Sequence, residues 1–391
     1  MLQDFSVNSQ TYKVRRKTAS PVKSQGEATS ASSLAAKTAS PMSVLTTPTS
    51  STKAEVAWGT ELQSKGAFYF EGDTLISHQY QVWVAVSGPC RLAVRAAAQY
   101  RNTAPLVDVH LYLFDENKRF VCRTSGLVEA GEWVWEGRLE AGRYLALAHT
   151  SGARLRRRRG TTKHEALLVE TRPRVRLTTD FRQLLEDVYA RVDLDNSGSL
   201  SRAEFNLFNW RTSGEEVADE EWAVVEQNFP LVAGELTLDG FLTLHQMEAE
   251  DNAGDPRELR VTVAAMGYSP ELVQDESVTF TVSLACSEPG GSLAVCGLKS
   301  GGLLLEKTVT RCAMEADPSP TKVKGASNVL VYREVTDHRI TFVYQNKSET
   351  SSTVQMDLGK SSGIVTSRES SVFSLVLAKK SSVVAVHVLP R

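Results

Sequence analysis

Between Asp193 and Phe205 the sequence DLDNSGSLSRAEF sets oxygen-bearing side chains at alternate positions around a glycine. Counting Asp193 as position 1, Asp195 stands at 3, Ser197 at 5, Ser199 at 7, Ser201 at 9 and Glu204 at 12. A hard divalent cation such as calcium takes about seven oxygens, and a loop of this length between two helices delivers them from those positions. The seventh would contribute its backbone carbonyl and the ninth would act through water. Gly198 falls at position 6, where the chain must turn sharply into a conformation that side chains disfavour. Asp193, Asp195, Ser197, Ser199, Ser201 and Glu204 are therefore the candidate ligands of one Ca2+ ion. A plain helix-turn-helix, with Asp and Ser as caps and turn formers, accounts for one or two of these residues and not for the whole set in register. Three carboxylates with serines at positions 5 and 9 predict an affinity on the order of micromolar or poorer.

Loops of this kind pair through an apolar residue at position 8, here Leu200. A partner is found in FPLVAGELTLDGF, where Gly234 and Leu236 align with positions 6 and 8. Phe229, Leu231, Ala233 and Gly240 then occupy positions 1, 3, 5 and 12, and none carries a carboxylate. The second loop should keep the pairing strand and core residues Phe241, Leu242 and Leu244 while holding no ion.

The elements that must position the loop are helical. In TTDFRQLLEDVYARV, Phe181, Leu184, Leu185, Val188 and Val192 recur at steps of three and four, with Thr179 as N-cap. A second helix should carry Phe205, Phe208 and Trp210, and DEEWAVVEQNF, LDGFLTLHQMEAE and PRELRVTVAAMGY predict three more. On either side the period shortens to two. In VDVHLYLFD, Val107, Val109, Leu111 and Leu113 point one way and Asp108, His110 and Tyr112 the other, toward solvent. The expected fold is multidomain α+β. Residues 1–55 form a disordered Ser/Thr/Lys-rich tail, 56–170 an antiparallel β-sandwich, 175–270 the helical pair of loops with a trailing helix, and 274–391 a second sandwich-like domain.

Other features exclude more than they suggest. The 391 residues carry 44 Lys and Arg against 46 Asp and Glu, so no global charge calls for nucleic acid. No apolar run approaches the roughly 18 residues of a membrane span, and the first residues lack a signal-peptide core, so a cytoplasmic location is expected. The five cysteines, Cys90, Cys122, Cys286, Cys296 and Cys312, are never spaced as CxxC and fit reduced, mostly buried thiols better than disulfides or a zinc site. The seven histidines show no metal-binding spacing and are expected on element surfaces. Trp133 and Trp135 share one strand face and fit a sandwich core better than a binding platform. The run from Arg154 to Arg159 could touch an anionic surface, although a solvated loop accounts for it as well. No phosphate loop, GxSxG elbow or acid-base pair stands out, so no enzyme is expected.

Local resemblances add to this reading. GELTLDGFLTLHQM, followed by PRELRVTVAAMGYSPEL, resembles the hidden EF-hand and trailing helix of the Miro GTPases, without their phosphate loop. VDVHLYLFDENKRFV and LEAGRYLALAHTSG look like the calpain-type β-sandwich, without the protease core. The order of modules is similar to the carboxy-terminal half of the ciliary EF-hand calcium-binding domain-containing protein 7 family. That resemblance implies a scaffold at the cilium base which, with an IQ-motif protein, tethers the Ellis-van Creveld complex in Hedgehog signalling. The alternative it leaves open is the regulatory portion of a calpain-like protease.

Overall fold

The computed structural model describes residues 57–103, 106–128, 131–155, 163–171 and 174–391, together with the short strand Tyr12–Arg15. Apart from that strand, the amino-terminal segment expected to be disordered lies outside the described residues, as do Arg156–Arg159. The protein is mostly antiparallel β, with six helices among the described residues.

The largest sheet has ten strands and is nearly closed. Its path runs Phe120–Arg123, His110–Asp115, Gly142–His149, Thr74–Val84, Thr60–Glu71, Ser277–Cys286, Gly88–Ala96, Glu132–Leu139 and Gly126–Val128, with Gly291–Lys299 also paired to Thr74–Val84. The two ends of this path are consecutive in sequence: Thr124 N–H donates to Leu111 O at one edge and Ser125 N–H to Val134 O at the other. The enclosed core includes Phe68, Tyr80, Leu92, Leu111, Trp133 and Phe280. Trp135 packs partly buried against it.

Two of these strands come from beyond residue 274. Ser277–Cys286 is not part of a separate carboxy-terminal unit; it inserts between Thr60–Glu71 and Gly88–Ala96, in register from Ser277↔Tyr69 to Cys286↔Thr60 on one side. Strand patterning identifies a strand but carries no information on its partner, which is why sequence grouped it with its chain neighbours. The same pairing sets Cys90 opposite Cys286, with their sulfurs 3.5 Å apart and both thiols free.

The second β region begins later. Thr321–Val323, Ala326–Val335, Ile340–Asn346, Ser382–Pro390 and Ile364–Thr366 form a five-stranded sheet, and Ser352–Asp357 pairs with Val372–Leu377 and Tyr12–Arg15. Val331, Phe342, Tyr344, Val354, Met356 and Val386 make its core.

Five of the helices, α1 (Thr179–Val192), α2 (Arg202–Ser213), α3 (Asp219–Asn228), α4 (Leu238–Asp251) and α5 (Arg257–Ala265), occur where the apolar periodicity predicts them. Phe181, Leu184, Leu185, Val188 and Val192 all lie on the buried face of α1. Its N-cap is Thr178 rather than Thr179: the Thr178 hydroxyl accepts from Phe181 N–H at 3.2 Å. These helices share a core with the large sheet. Along Thr60–Glu71, Phe68 faces the sandwich interior while Ala67 and Tyr69 face Phe181, Val188 and Phe208 on the helical side.

A sixth helix, α6 (Gly302–Glu315), was not expected from sequence. Leu305, Val309 and Cys312 pack onto Tyr112, Phe114 and Leu147 of the large sheet and, with Leu304, approach Val384 of the second. The alternation in Val107–Phe114 is therefore real, but its outward set does not meet water. Asp108, His110 and Tyr112 are all buried. There Arg339 Nη1 lies 3.3 Å from Asp108 Oδ2 and Arg339 Nη2 3.9 Å from Glu334 Oε2, while Arg123 bonds the Glu334 carboxylate, so a chain of buried charges links the two β regions.

Candidate metal centre

The loop follows α1 directly. Asp193 is the C-cap of that helix, its N–H bonded to Tyr189 O at 3.0 Å. Both oxygens of its side chain accept from the turn: Oδ1 from Ser197 N–H at 3.0 Å and Oδ2 from Gly198 N–H at 3.2 Å. Asp195 Oδ1 also accepts from Ser197 N–H at 3.0 Å. The turn depends on left-handed backbone at Asn196 (φ 62°) and Gly198 (φ 84°), and the glycine holds that conformation without a Cβ clash.

Glu204 returns from the first turn of α2. Its Oε1 accepts from Leu194 N–H at 2.7 Å, and its Oε2 accepts from Ser201 N–H at 2.9 Å and from the Ser201 hydroxyl at 2.8 Å. Ser201 Oγ in turn accepts from Glu204 N–H at 3.3 Å, which completes a capping box. Burial raises the Glu204 carboxyl above the usual range, opposed by the Ser201 and Leu194 hydrogen bonds. As a result one oxygen from each of Asp193, Asp195 and Glu204 lies within 4.8 Å of the others, Asp193 and Glu204 being buried and Asp195 exposed.

The serines are engaged differently. Ser197 Oγ donates to Ser199 O at 2.8 Å, and Ser199 Oγ donates to Glu235 Oε2 at 2.5 Å, so position 7 touches the second loop through its side chain. Ser201 serves α2 as N-cap. The donor set that the fold gathers is hard oxygen throughout, carboxylate, hydroxyl and carbonyl, with no sulfur or imidazole. That chemistry fits calcium and disfavours the softer transition metals.

The second loop pairs with the first through Leu200 and Leu236, whose backbones exchange hydrogen bonds of 2.9 and 2.8 Å. Leu231–Val232 and Glu235–Leu236 form a small hairpin around Ala233 (φ 52°) and Gly234 (φ 83°), a turn with two left-handed residues. Gly240, at position 12, leaves no room for an acid: a Cβ there would lie 2.6 Å from Leu236 Cδ1 and 2.9 Å from Pro230 O. The four positions Phe229, Leu231, Ala233 and Gly240 thus frame a hairpin and carry no carboxylate.

Tyr189 was not singled out from sequence. Its hydroxyl lies 3.1 Å from Gly198 O and 2.9 Å from Leu236 O, so it donates across both loops. Its position one residue after the buried Val188 was the available signal. The histidines also differ from expectation, since His78, His110, His245 and His387 are buried. Desolvation pushes His78 and His245 down to about 4, and desolvation together with the charge of Arg339 holds His110 and His387 well below the usual imidazole range, so all four favour the neutral form. A cleft of about 1210 Å3 lies elsewhere, between α6 and the two β regions, lined in part by His149, Arg311, Lys380 and Val384.

With the loop geometry described, three curated relatives bear on it. EF-hand calcium-binding domain-containing protein 7 of mouse is 32% identical over 342 residues, that of human 31% over 342, and that of Xenopus laevis 32% over 339. Over this span the chain resembles part of that protein. Each match covers 84% of this chain and 54% of the relative, so the chain spans about half the length of the curated relatives it matches. Their name points to a calcium-binding domain, the chemistry that the Asp193–Glu204 cluster offers. No family model matches the chain. No helix among the described residues is long and apolar enough to cross a membrane.

Proposed function

We propose that this chain is a non-enzymatic, calcium-binding scaffold in which one EF-hand loop, paired with a degenerate partner, sits at the junction of helices and sandwich. The observation that carries the reading is the convergence of Asp193, Asp195 and Glu204 oxygens within 4.8 Å between α1 and α2. Asp193, Asp195, Ser197, the Ser199 carbonyl, Ser201 and Glu204 would hold the ion. A bound divalent cation would neutralise the three acids and fix the angle between α1 and α2, and hence the surface those helices present.

The apolar or side-chain-free residues Phe229, Leu231, Ala233 and Gly240 at the ligand positions of the second loop support a single ion. The resemblance supports the finer reading, in which the scaffold acts at the cilium base with an IQ-motif protein to tether the Ellis-van Creveld complex. Calorimetric titration with calcium should give close to one site, lost in Glu204→Gln; two sites would contradict the reading of the second loop. Measurable peptidase turnover, with or without calcium, would instead favour the calpain-like alternative. Capture from ciliated cells with and without chelator tests the partners.

A further inference from the structure

The candidate loop is tied to the sandwich as well as to its own helices, and one residue, Lys65, reaches it through both its backbone and its charge. Lys65 lies on Thr60–Glu71, on the face of that strand shared with Ala67 and Tyr69, toward the helices. Its backbone N–H donates to Leu194 O, inside the loop, at 2.7 Å. Its ammonium donates to Ala190 O at 2.7 Å and stands 4.0 Å from Asp193 Oδ2. Ala190 belongs to the last turn of α1, whose carbonyls have no intrahelical donors and carry the negative end of the helix dipole. A cation there is held by the helix end and by the first ligand position together. The Lys65 side chain is 19% exposed and that of Asp193 9%. The neighbouring Arg191 turns away, to Asp187 and to Thr279 Oγ1 at 2.6 Å. Among the ion pairs of the described residues, Lys65–Asp193 is the one that reaches a candidate ligand.

We propose that Lys65 is a built-in counter-cation of the calcium loop: it partly neutralises the acids when calcium is absent, and its positive charge holds calcium affinity down when the ion arrives. Ion occupancy is thereby coupled to the sandwich strand that carries Lys65. This rests on the calcium reading above and names what regulates that same site. The effect is one of fixed charge. A unit charge opposing a divalent ion across separations of this order, at water-like screening, weakens binding by about tenfold.

The test uses the full chain, titrated with calcium by calorimetry at one salt concentration. Lys65→Gln should bind calcium about tenfold more tightly than the unaltered protein, and Lys65→Arg, which keeps the charge, should stay within about threefold of it. The difference between the Lys and Gln forms should shrink as salt is raised. In chelator, amide exchange across Leu194–Ser201 should be faster in Lys65→Gln, a readout of the neutralising role that does not require the ion. Lys65→Met, which keeps the aliphatic stem, replaces Gln if that variant loses its circular dichroism signal. Equal or weaker calcium binding by a folded, uncharged variant overturns the role of Lys65 while leaving the calcium site intact. No calcium binding by any form overturns the site itself.

Discussion

Replacing Glu204 separates the cap that the structure shows from the ligand role that the proposed function gives it. Without calcium, Glu204→Ala deletes three accepted hydrogen bonds and strands the Leu194 N–H, whose residue is only 6% exposed. A hydrogen bond to a charged group contributes about 1.5 to 3 kcal/mol, and loss of a cap costs about 1. Part of that is returned, because the carboxylate is held charged against burial and beside Asp195. A net loss of about 2 kcal/mol is expected for Ala, and about 1 for Gln, whose amide oxygen still accepts from Leu194. With calcium at about a hundred times its dissociation constant, the unaltered protein gains about 2.7 kcal/mol and the variants gain nothing. The gap to Ala thus widens from about 2 to about 5 kcal/mol on replacing chelator by calcium. Denaturation curves followed by circular dichroism, with and without calcium, read that double difference directly. If Glu204→Gln shows the full calcium-dependent gain, the ion is not held where this reasoning puts it.

Three further outcomes follow from other parts of the molecule. Gly240→Ala should destabilise by about 1 to 3 kcal/mol, since its Cβ meets Leu236 and the Pro230 carbonyl, and Gly240→Glu should leave calorimetry at one site because no other acid joins it. Arg339→Met should cost about 3 to 5 kcal/mol in urea denaturation by leaving the buried Asp108 without its cation while Glu334 keeps Arg123, with exchange rising across Ala326–Val335; a neutral result would mean the charge chain does not join the β regions. Acidification should destabilise the fold between about pH 6.5 and 4. His78 and His245 stay neutral in the folded chain down to about 4, whereas the unfolded chain binds protons from about 6.5 downward. Their contribution is therefore complete above 6.5 and lost as pH falls, by about 1.4 kcal/mol per unit for each histidine, and His245→Phe should flatten the slope of stability against pH.

The helices, the turn and the gathering of Asp193, Asp195 and Glu204 were legible because each is a local feature, lying between Thr179 and Ser213. Alternate oxygens and a glycine at the turn have an order that the proposed ligand chemistry would fix. The hairpin in the second loop was partly legible, since missing acids could be read directly, but the clash at Gly240 depends on where Leu236 and Pro230 come to rest. The histidines were misread because their burial is a tertiary fact. His245 lies on α4 against Phe208 and Phe241, and nothing in LTLHQM announces that the helix is covered on that side. Helix α6 had a readable signal in Leu305, Val309 and Cys312, overlooked between two strand-rich stretches.

What sequence could not supply was which modules share a face. A strand of period two has two faces, and composition fixes the character of each without naming what covers it. On Thr60–Glu71 one face closes the sandwich and the other completes the helical core, so the Asp193–Glu204 loop and the large sheet cannot move as separate bodies without exposing Ala67 and Tyr69. The strand Ser277–Cys286, arriving after α5, pairs with Thr60–Tyr69 and holds that strand in the middle of the large sheet. A rearrangement of α1 and α2 is therefore transmitted to Thr60–Glu71 through Lys65 and Leu194 as well as through the shared core. Under the proposed function, the sandwich strand would take part in the response to the ion.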